Sequence, residues 1–268
     1  MSRIAQRLQT LKEQGRKALV TYIVNGDPYP EATLPTMHAM VEQGADIIEL
    51  GVPFSDPMAE GPVIQRGHER ALAHHISLRG TMEVVRAFRE TDKETPVVLM
   101  GYVNPIERMG YNTIARLASE SGVDGLLTVD LPHEEAVELK KELEVVDVDN
   151  ILLLAPTTSV ERARKVAALA SGFLYYVSLK GVTGAGHLDV DAVKTKLDEF
   201  GKLTDLPLCI GFGIKDPDTA RKLSVLADGV VVGSVLVDRM GQMETSDSAG
   251  IAGAIGEIVG GIRAGLDA

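Results

Sequence analysis

The chain has 268 residues, of which 45% are hydrophobic and 24% are charged, a composition typical of globular proteins with a substantial core. Its net charge of −11 argues against a nucleic-acid partner or an anionic membrane surface, because both would repel the chain overall. The single cysteine, Cys209, rules out a disulfide within the chain and favours a cytoplasmic location. No apolar run is expected to reach the ~20 residues that a membrane-spanning helix requires.

Helical and strand patterns alternate along the chain. Ile4, Leu8 and Leu11 recur at helical spacing, which predicts a helix ahead of the first apolar run. The short apolar runs that follow are mostly apolar throughout, as is typical of parallel strands buried on both faces. The predicted strands are 18–24, 46–50, 97–101, 125–129, 151–154, 173–178, 208–211 and 229–232.

Helix start signals fall in the gaps between these strands. Thr158 and Glu161 stand at the two ends of a predicted capping box before a helix over 162–170. Asp216 followed by Pro217 predicts a capped helix start. The other predicted helices cover 77–89, 134–144, 191–200 and 218–226.

Eight β-then-α units in this length predict a (β/α)8 TIM barrel that forms a single domain over residues 1–268. The N-terminal helix would cover one end of the barrel, and the helix at 77–89 would be an insertion after the second β/α unit. A doubly wound open sheet remains the alternative, because alternation alone does not show closure. The missing G-x-G-x-x-G after the first strand counts against a dinucleotide-binding fold.

The second predicted strand ends near a glutamate, Glu49, at the end of the barrel where functional residues gather. Burying a carboxylate at the rim of an apolar strand costs free energy unless it is paired or neutralised. Apolar enclosure should raise the pKa of Glu49 toward neutrality, which suits a group that both gives and takes protons. The alternative is a rim glutamate paired with a nearby cation.

Glycine-rich turns follow the seventh and eighth predicted strands, at Gly213 and at Gly233-Ser234. These two loops, together with a helix N-terminus, form the recurrent phosphate site of TIM barrels. Gly184, after the sixth strand, could supply another backbone N–H. The pattern therefore predicts a phosphate site, with tight turns alone as the alternative.

Large side chains at the strand ends predict an apolar wall for an aromatic ligand, although ordinary barrel packing would also explain them. The segment 179–187 is rich in glycine and is predicted to be a lid that excludes water on closure. The six histidines show no metal-ligand spacing, so no metal site is predicted. The wall residues are Tyr22, Met100, Leu127, Tyr175 and Phe212.

The segment from Glu49 to Pro62, ELGVPFSDPMAEGP, closely resembles the signature of the tryptophan synthase alpha subunit family. The resemblance covers nearly the whole chain, in one order and with spacings that fit. It continues through MGYVNP at 100–105, DLP at 130–132, GVTG at 181–184, GFGI at 211–214 and GS at 233–234.

This resemblance implies a lyase of tryptophan biosynthesis that cleaves indole-3-glycerol phosphate to indole and glyceraldehyde 3-phosphate by a retro-aldol reaction. Glu49 would transfer protons, Glu60 would accept the indole N–H, and Thr183 in the lid would contact Glu49. Glu60 stands where the family usually has Asp. Tyr22 and Met100 stand where it usually has Phe and Leu.

The resemblance also implies a cytoplasmic complex of two alpha and two beta subunits. This chain would need no cofactor, and pyridoxal phosphate would belong to the beta subunit alone. The loops around 53–57, 104–105 and 132 would face that subunit. Two alternatives stay open: another phosphosugar barrel enzyme such as an isomerase, and a regulatory subunit without turnover, for which Glu60 is the only support.

Overall fold

The computed structural model describes residues 1–177, 190–211 and 213–268. Within these ranges, parallel strands form a closed barrel in chain order, in which the last strand pairs with the first. This closure confirms the predicted (β/α)8 barrel and excludes the open sheet. The strands are β1 (Ala18–Val24), β2 (Ile47–Gly51), β3 (Val97–Tyr102), β4 (Gly125–Val129), β5 (Asp149–Leu154), β6 (Leu174–Val177), β7 (Leu208–Gly211) and β8 (Gly229–Val232).

Helices in the described ranges surround the strands and cover the barrel's amino-terminal end. The first helix precedes β1, and an additional helix lies between the second β/α unit and β3, both as predicted. The helices are α1 (Arg3–Glu13), α2 (Pro30–Glu42), α3 (Pro62–Ala73), α4 (Leu78–Phe88), α5 (Val103–Met109), α6 (Tyr111–Ser121), α7 (Ala136–Val145), α8 (Val160–Leu169), α9 (Val190–Gly201), α10 (Pro217–Ser224), α11 (Ser234–Gly241) and α12 (Ser248–Leu266).

The two faces of β2 illustrate how the strands are buried. All five of its residues are buried, because one face meets the helices and the other meets the barrel interior. Ile48 and Leu50 belong to the core beneath the helices, whereas Ile47 belongs to the core inside the barrel. By alternation, Glu49 and Gly51 also face the interior.

Three aspartates fix the strand register at the amino-terminal end of the barrel. Each stands one residue before an even-numbered strand and accepts a backbone N–H at or near the start of the preceding strand. The side chain thus extends the ladder of hydrogen bonds past the ends of the strands. The pairs are Asp46 with Leu19 at 2.9 Å, Asp124 with Val97 at 2.8 Å, and Asp228 with Leu208 at 2.9 Å.

Two of these aspartates also bind buried arginines from the helical layer. Arg89, just after α4, donates to Asp124 at 2.6 Å, and Arg263 of α12 donates to Asp46 at 3.1 Å. Both arginine side chains are 8% exposed. Each pair therefore links a peripheral helix to the base of a strand.

Helix α1 closes the amino-terminal end of the barrel. Ile4, Leu8 and Leu11 are buried and pack into the interior core. The absence of a side chain at Gly125 makes room for this contact, since a Cβ there would lie 3.0 Å from Cδ1 of Ile4. The predicted N-terminal helix thus closes the amino-terminal end of the barrel.

The start of α8 differs from the predicted capping box by one residue. Ser159 is the N-cap and accepts the N–H of Arg162 at 3.3 Å. Thr158 instead accepts the N–H of Ala155 at 3.0 Å, within the loop after β5. The capping-box prediction was wrong because the loop engages the first of two adjacent hydroxyl residues, which leaves the second to cap. The predicted cap at Asp216 is confirmed.

Helix α12 corrects the expectation about membrane spans. By length and composition it could cross a membrane, and it is the one such helix in the described ranges. Its residues Ile251, Ile255, Val259 and Ile262 are buried in the core beneath the helices. The apolar composition of α12 is therefore accounted for by packing within this fold.

Candidate active site

A cavity of about 430 Å³ opens at the carboxyl ends of the strands. Its walls come from strands on several sides of the barrel and from the loop between β2 and α3. In TIM barrels, this is the end at which functional residues lie. Of the predicted site residues, those that line it are Tyr22, Glu60, Met100, Tyr175, Gly213, Gly233 and Ser234.

A larger groove, of about 790 Å³, lies beside α1 at the opposite end of the barrel. Arg3 in this groove already donates to Asp124 at 2.7 Å and to the carbonyl of Lys93 at 2.8 Å. Residues at the amino-terminal end of a barrel usually serve stability rather than chemistry. We therefore place the candidate active site in the cavity at the carboxyl ends.

Glu49 lies inside the barrel, level with Tyr22 on β1. It is 1% exposed, and neither carboxyl oxygen has a hydrogen-bond partner among the described residues. Burial, followed by the negative charge of Glu60, raises the pKa of Glu49 to about 8. No described cation pairs with it, so the carboxyl is mostly protonated at neutral pH and can exchange a proton.

Glu49 does not itself form part of the cavity wall. The neighbouring Tyr22 and Tyr175 do line the cavity, and the charge of Glu49 contributes to raising the pKa of each hydroxyl. The acid therefore lies close to the wall, among large aromatic side chains.

Glu60 lies in the loop between β2 and α3 and lines the cavity. The loop is held through its backbone: Gln65 donates to the carbonyl of Glu60 at 2.9 Å, and Ala59 donates its N–H to Tyr102 at 3.1 Å. Burial raises the pKa of the partly buried Glu60 carboxyl to about 7. Near neutral pH, part of Glu60 is thus ionised while Glu49 is mostly protonated, so the two carboxyls can act differently.

Gly213, Gly233 and Ser234 converge where β7 and β8 end. Gly213 has a φ of +40°, a conformation that residues with side chains rarely adopt. Helix α11 begins here and has no side-chain cap on its first N–H groups. An uncapped helix N-terminus beside a cavity favours an anion.

The predicted wall residues lie at different depths. Tyr22, Met100 and Tyr175 line the cavity. Leu127 is fully buried in the barrel interior and does not reach the cavity wall, although it pairs in register with Met100. The predictions for Thr183, Gly184 and Phe212, and for the lid at 179–187, lie outside the described residues.

Other wall residues were missed by sequence reasoning. Val63 and Ile64 belong to the first turn of α3, Ile214 follows β7, and Val231 lies in β8. Apolar residues at such positions usually belong to the core, so their type gave no signal of a site. The only available signal was their closeness in sequence to the Glu60 loop and to the glycine turns.

His68 was also missed. It lies on α3 and is 2% exposed, and its Nε2 is 3.4 Å from the hydroxyl of Tyr22. Its Nδ1 accepts the N–H of Phe54 at 3.0 Å, and burial lowers its pKa to about 4. A lone histidine in a helical pattern carries no signal of such contacts. In the described ranges, no group of three or more His, Cys, Asp or Glu residues is arranged to hold a metal ion.

A closed β/α barrel with a buried titratable carboxyl and an uncapped helix terminus at the carboxyl ends of its strands defines a TIM-barrel enzyme. A family model described as the tryptophan synthase alpha chain matches residues 8–256. The chain belongs to this family. Its role is that of the alpha subunit in tryptophan biosynthesis, the subunit that cleaves indole-3-glycerol phosphate.

Individual relatives agree with this assignment. The tryptophan synthase alpha chain of Thioalkalivibrio sulfidiphilus is 57% identical and is covered over 100% of both chains. That of Ralstonia nicotianae is 52% identical, again over 100% of both chains. The crystal structure of tryptophan synthase subunit alpha from Legionella pneumophila is 45% identical, with a TM-score of 0.91 and coverage of 100% of this chain and 99% of the other.

Proposed function

We propose that Glu49 transfers the protons of the retro-aldol cleavage in this chain. The observation that carries the proposal is a buried carboxyl without a partner among the described residues, whose pKa is about 8. Carbon 3 of the indole ring must gain a proton before the carbon–carbon bond breaks, and a glycerol hydroxyl must lose one as the carbonyl forms. A carboxyl that titrates near neutral pH can serve both steps.

Glu60 accepts the hydrogen bond of the indole N–H and stabilises the positive charge that develops on the ring. Its position on the cavity wall and its pKa of about 7 support this role, because an ionised fraction is present at neutral pH. An anion placed where positive charge develops stabilises the transition state more than the ground state.

The substrate phosphate binds to backbone N–H groups of the glycine turns and to the hydroxyl of Ser234. The uncapped N-terminus of α11 supports this placement. Anchoring the phosphate orients the bond to be cleaved, so that binding energy contributes to the rate. The proposed phosphate ligands are Gly184, Gly213, Gly233 and Ser234.

The indole ring occupies the apolar part of the cavity, with Thr183 acting as a latch of the lid over it. The apolar side chains of the cavity wall, which line the same cavity as Glu60 and the glycine turns, support this arrangement. The proposed pocket residues are Tyr22, Met100, Tyr175 and Phe212, with Leu127 supporting the pocket from the barrel interior, where Met100 packs against the same core.

A tryptophan synthase beta subunit is the partner, in a cytoplasmic complex of two alpha and two beta subunits. The proposed contact loops are those around 53–57, 104–105 and 132. Met58, next to the first of them, is 79% exposed, and a partner would cover it. This chain, a single domain over residues 1–268, uses no cofactor, and pyridoxal phosphate belongs to the beta subunit.

Indole release from indole-3-glycerol phosphate tests the proposal. The purified chain is assayed alone and with a beta subunit, and Glu49→Gln is the control for contaminating activity. Release that depends on Glu49 supports the proposed chemistry. Absence of indole in both conditions, or release that Glu49→Gln leaves unchanged, contradicts it.

A further inference from the structure

His68 defines the direction of the hydrogen bond that it shares with Tyr22. Its Nδ1 lies 3.0 Å from the backbone nitrogen of Phe54, and a backbone N–H can only donate. Nδ1 is therefore the acceptor, and the single proton of the neutral ring is on Nε2. The ring is neutral at physiological pH because burial lowers its pKa to about 4. His68 thus donates to the hydroxyl oxygen of Tyr22, 3.4 Å away.

The Tyr22 hydroxyl consequently keeps its own proton for another acceptor. The oxygen is held over the end of β2, since a Cβ at Gly51 would lie 2.4 Å from it. Burial, followed by the negative charges of Glu60 and Glu49, raises the pKa of Tyr22 well above its ordinary value, so the phenol stays protonated. No described residue accepts this proton.

Glu60 has carboxyl oxygens that can accept the proton that the Tyr22 hydroxyl has available. It lines the same cavity as Tyr22. Gln65 occupies its backbone carbonyl, whereas its carboxyl oxygens have no hydrogen-bond partner among the described residues. A glutamate side chain has several rotatable bonds, so a free carboxylate loses entropy whenever it is held in one orientation.

Tyr22 and Glu60 make no hydrogen bond to each other in this structure. We propose that Tyr22 is a positioning residue for Glu60 in the substrate complex: when the Glu60 side chain turns toward it, the Tyr22 hydroxyl, oriented by His68, donates to one carboxylate oxygen and leaves the other for the indole N–H. The inference rests on the proposed role of Glu60. A carboxylate has two acceptor oxygens, so one glutamate can accept both hydrogen bonds at once. We expect an aspartate at position 60, which is one methylene shorter, to lose the contact with the tyrosine.

A double-mutant cycle tests the coupling of the two residues. We expect Tyr22→Phe to lower kcat for indole release about tenfold, the factor that corresponds to about 1.4 kcal/mol. The effect falls on kcat more than on KM, because Glu60 binds charge that develops in the transition state. In the Glu60→Asp background, the same change lowers kcat less than about twofold, since there is no contact left to remove.

Tyr29→Phe is the matched control. It removes a phenol hydroxyl that donates to the carbonyl of Ser246 at 2.7 Å, away from the cavity wall. We expect it to leave kcat unchanged in both backgrounds. All proteins are assayed as full chains with the beta subunit present.

His68→Phe is an independent probe of the same hydrogen bond. If His68 acts through Tyr22, the substitution His68→Phe lowers kcat in the parent chain but causes little further loss of kcat in the Tyr22→Phe variant. Equal losses from Tyr22→Phe in the two backgrounds would overturn the inference and leave Tyr22 as a wall residue. Unchanged kcat in Glu60→Gln would instead remove the role of Glu60 on which the inference rests, so the two failures are distinguishable.

Discussion

Glu49 shows how one residue can oppose stability and support chemistry for a single physical reason. Its carboxyl is buried inside the barrel without a described partner, so the folded state favours the protonated form. The same preference brings the pKa from the ordinary 4.5 to about 8. A group that titrates near the working pH is an effective acid and base.

Replacing Glu49 with glutamine should abolish proton transfer while keeping the shape of the side chain. We expect Glu49→Gln to bind indole-3-glycerol phosphate and to release indole at least ~100-fold more slowly, because one acid–base group contributes about 10² to 10⁴. Single-turnover kinetics together with equilibrium binding measure the two effects. A near-normal rate would remove Glu49 from its proposed role.

The pH dependence of stability provides a second test of Glu49. Between the ordinary pKa of 4.5 and the folded pKa of about 8, the folded state holds a proton that the unfolded state has lost. Stability due to this group is therefore lost as pH rises through that range. We expect the Tm of Glu49→Gln, relative to the parent chain, to increase from about pH 5 to about pH 9 by at least 2 °C, the shift that about 1 kcal/mol produces in a large domain. A pH-independent difference would contradict the raised pKa.

At the scale of elements, the barrel is tied together at its base by the aspartates that precede β2, β4 and β8. Each bridges two neighbouring strands through a backbone N–H. Asp124 also satisfies the buried Arg89, whereas Asp228 is exposed and has no arginine partner among the described residues. Removing Asp124 would therefore leave a buried arginine without this partner, whereas removing Asp228 would not.

Asp124→Ala and Asp228→Ala form a matched pair. We expect Asp124→Ala to lower the free energy of unfolding by about 3 to 5 kcal/mol, because it leaves the charge of Arg89 buried without its partner. Asp228→Ala should cost only about 1 kcal/mol, the value of one hydrogen bond. Urea unfolding measures both, and equal losses would show that the backbone contact, not the buried arginine, dominates.

At the scale of the whole molecule, the two ends of the barrel serve different purposes. The amino-terminal end is sealed by α1 and tied by aspartates, whereas the carboxyl-terminal end holds the cavity and the two carboxyls. Packing and ion pairs at the amino-terminal end stabilise the barrel. The loops at the other end can therefore position polar groups around an open cavity.

Ile4→Ala should test the contribution of the sealed base. Ile4 is fully buried beneath the barrel, so we expect a loss of about 2 to 5 kcal/mol in the free energy of unfolding. The exposed Gln9→Ala, on the same helix, is the control, with a change within about 0.5 kcal/mol. The ratio kcat/KM should stay near that of the parent chain at low temperature, since the cavity lies at the other end. A small loss of stability would show that α1 is dispensable to the barrel.

The sequence by itself determined most features that depend on neighbours along the chain. Apolar runs predicted strands at 18–24, 125–129, 208–211 and 229–232 with the bounds that the structure has. Asp216 before Pro217 predicted the start of α10, and the motif from Glu49 to Pro62 identified the family. These signals are local, because strand burial, helix capping and loop motifs each depend on a few consecutive residues.

Only the tertiary structure decided features that depend on residues far apart in the chain. Barrel closure needs the pairing of β8 with β1, and the choice of Ser159 over Thr158 as a cap depends on the loop after β5. The contact of His68 with Tyr22 joins a helix to a strand across 46 positions. Periodicity shows which face of an element is buried, but not which distant group that face meets or how deep it lies, because both are set by the packing of all the elements together.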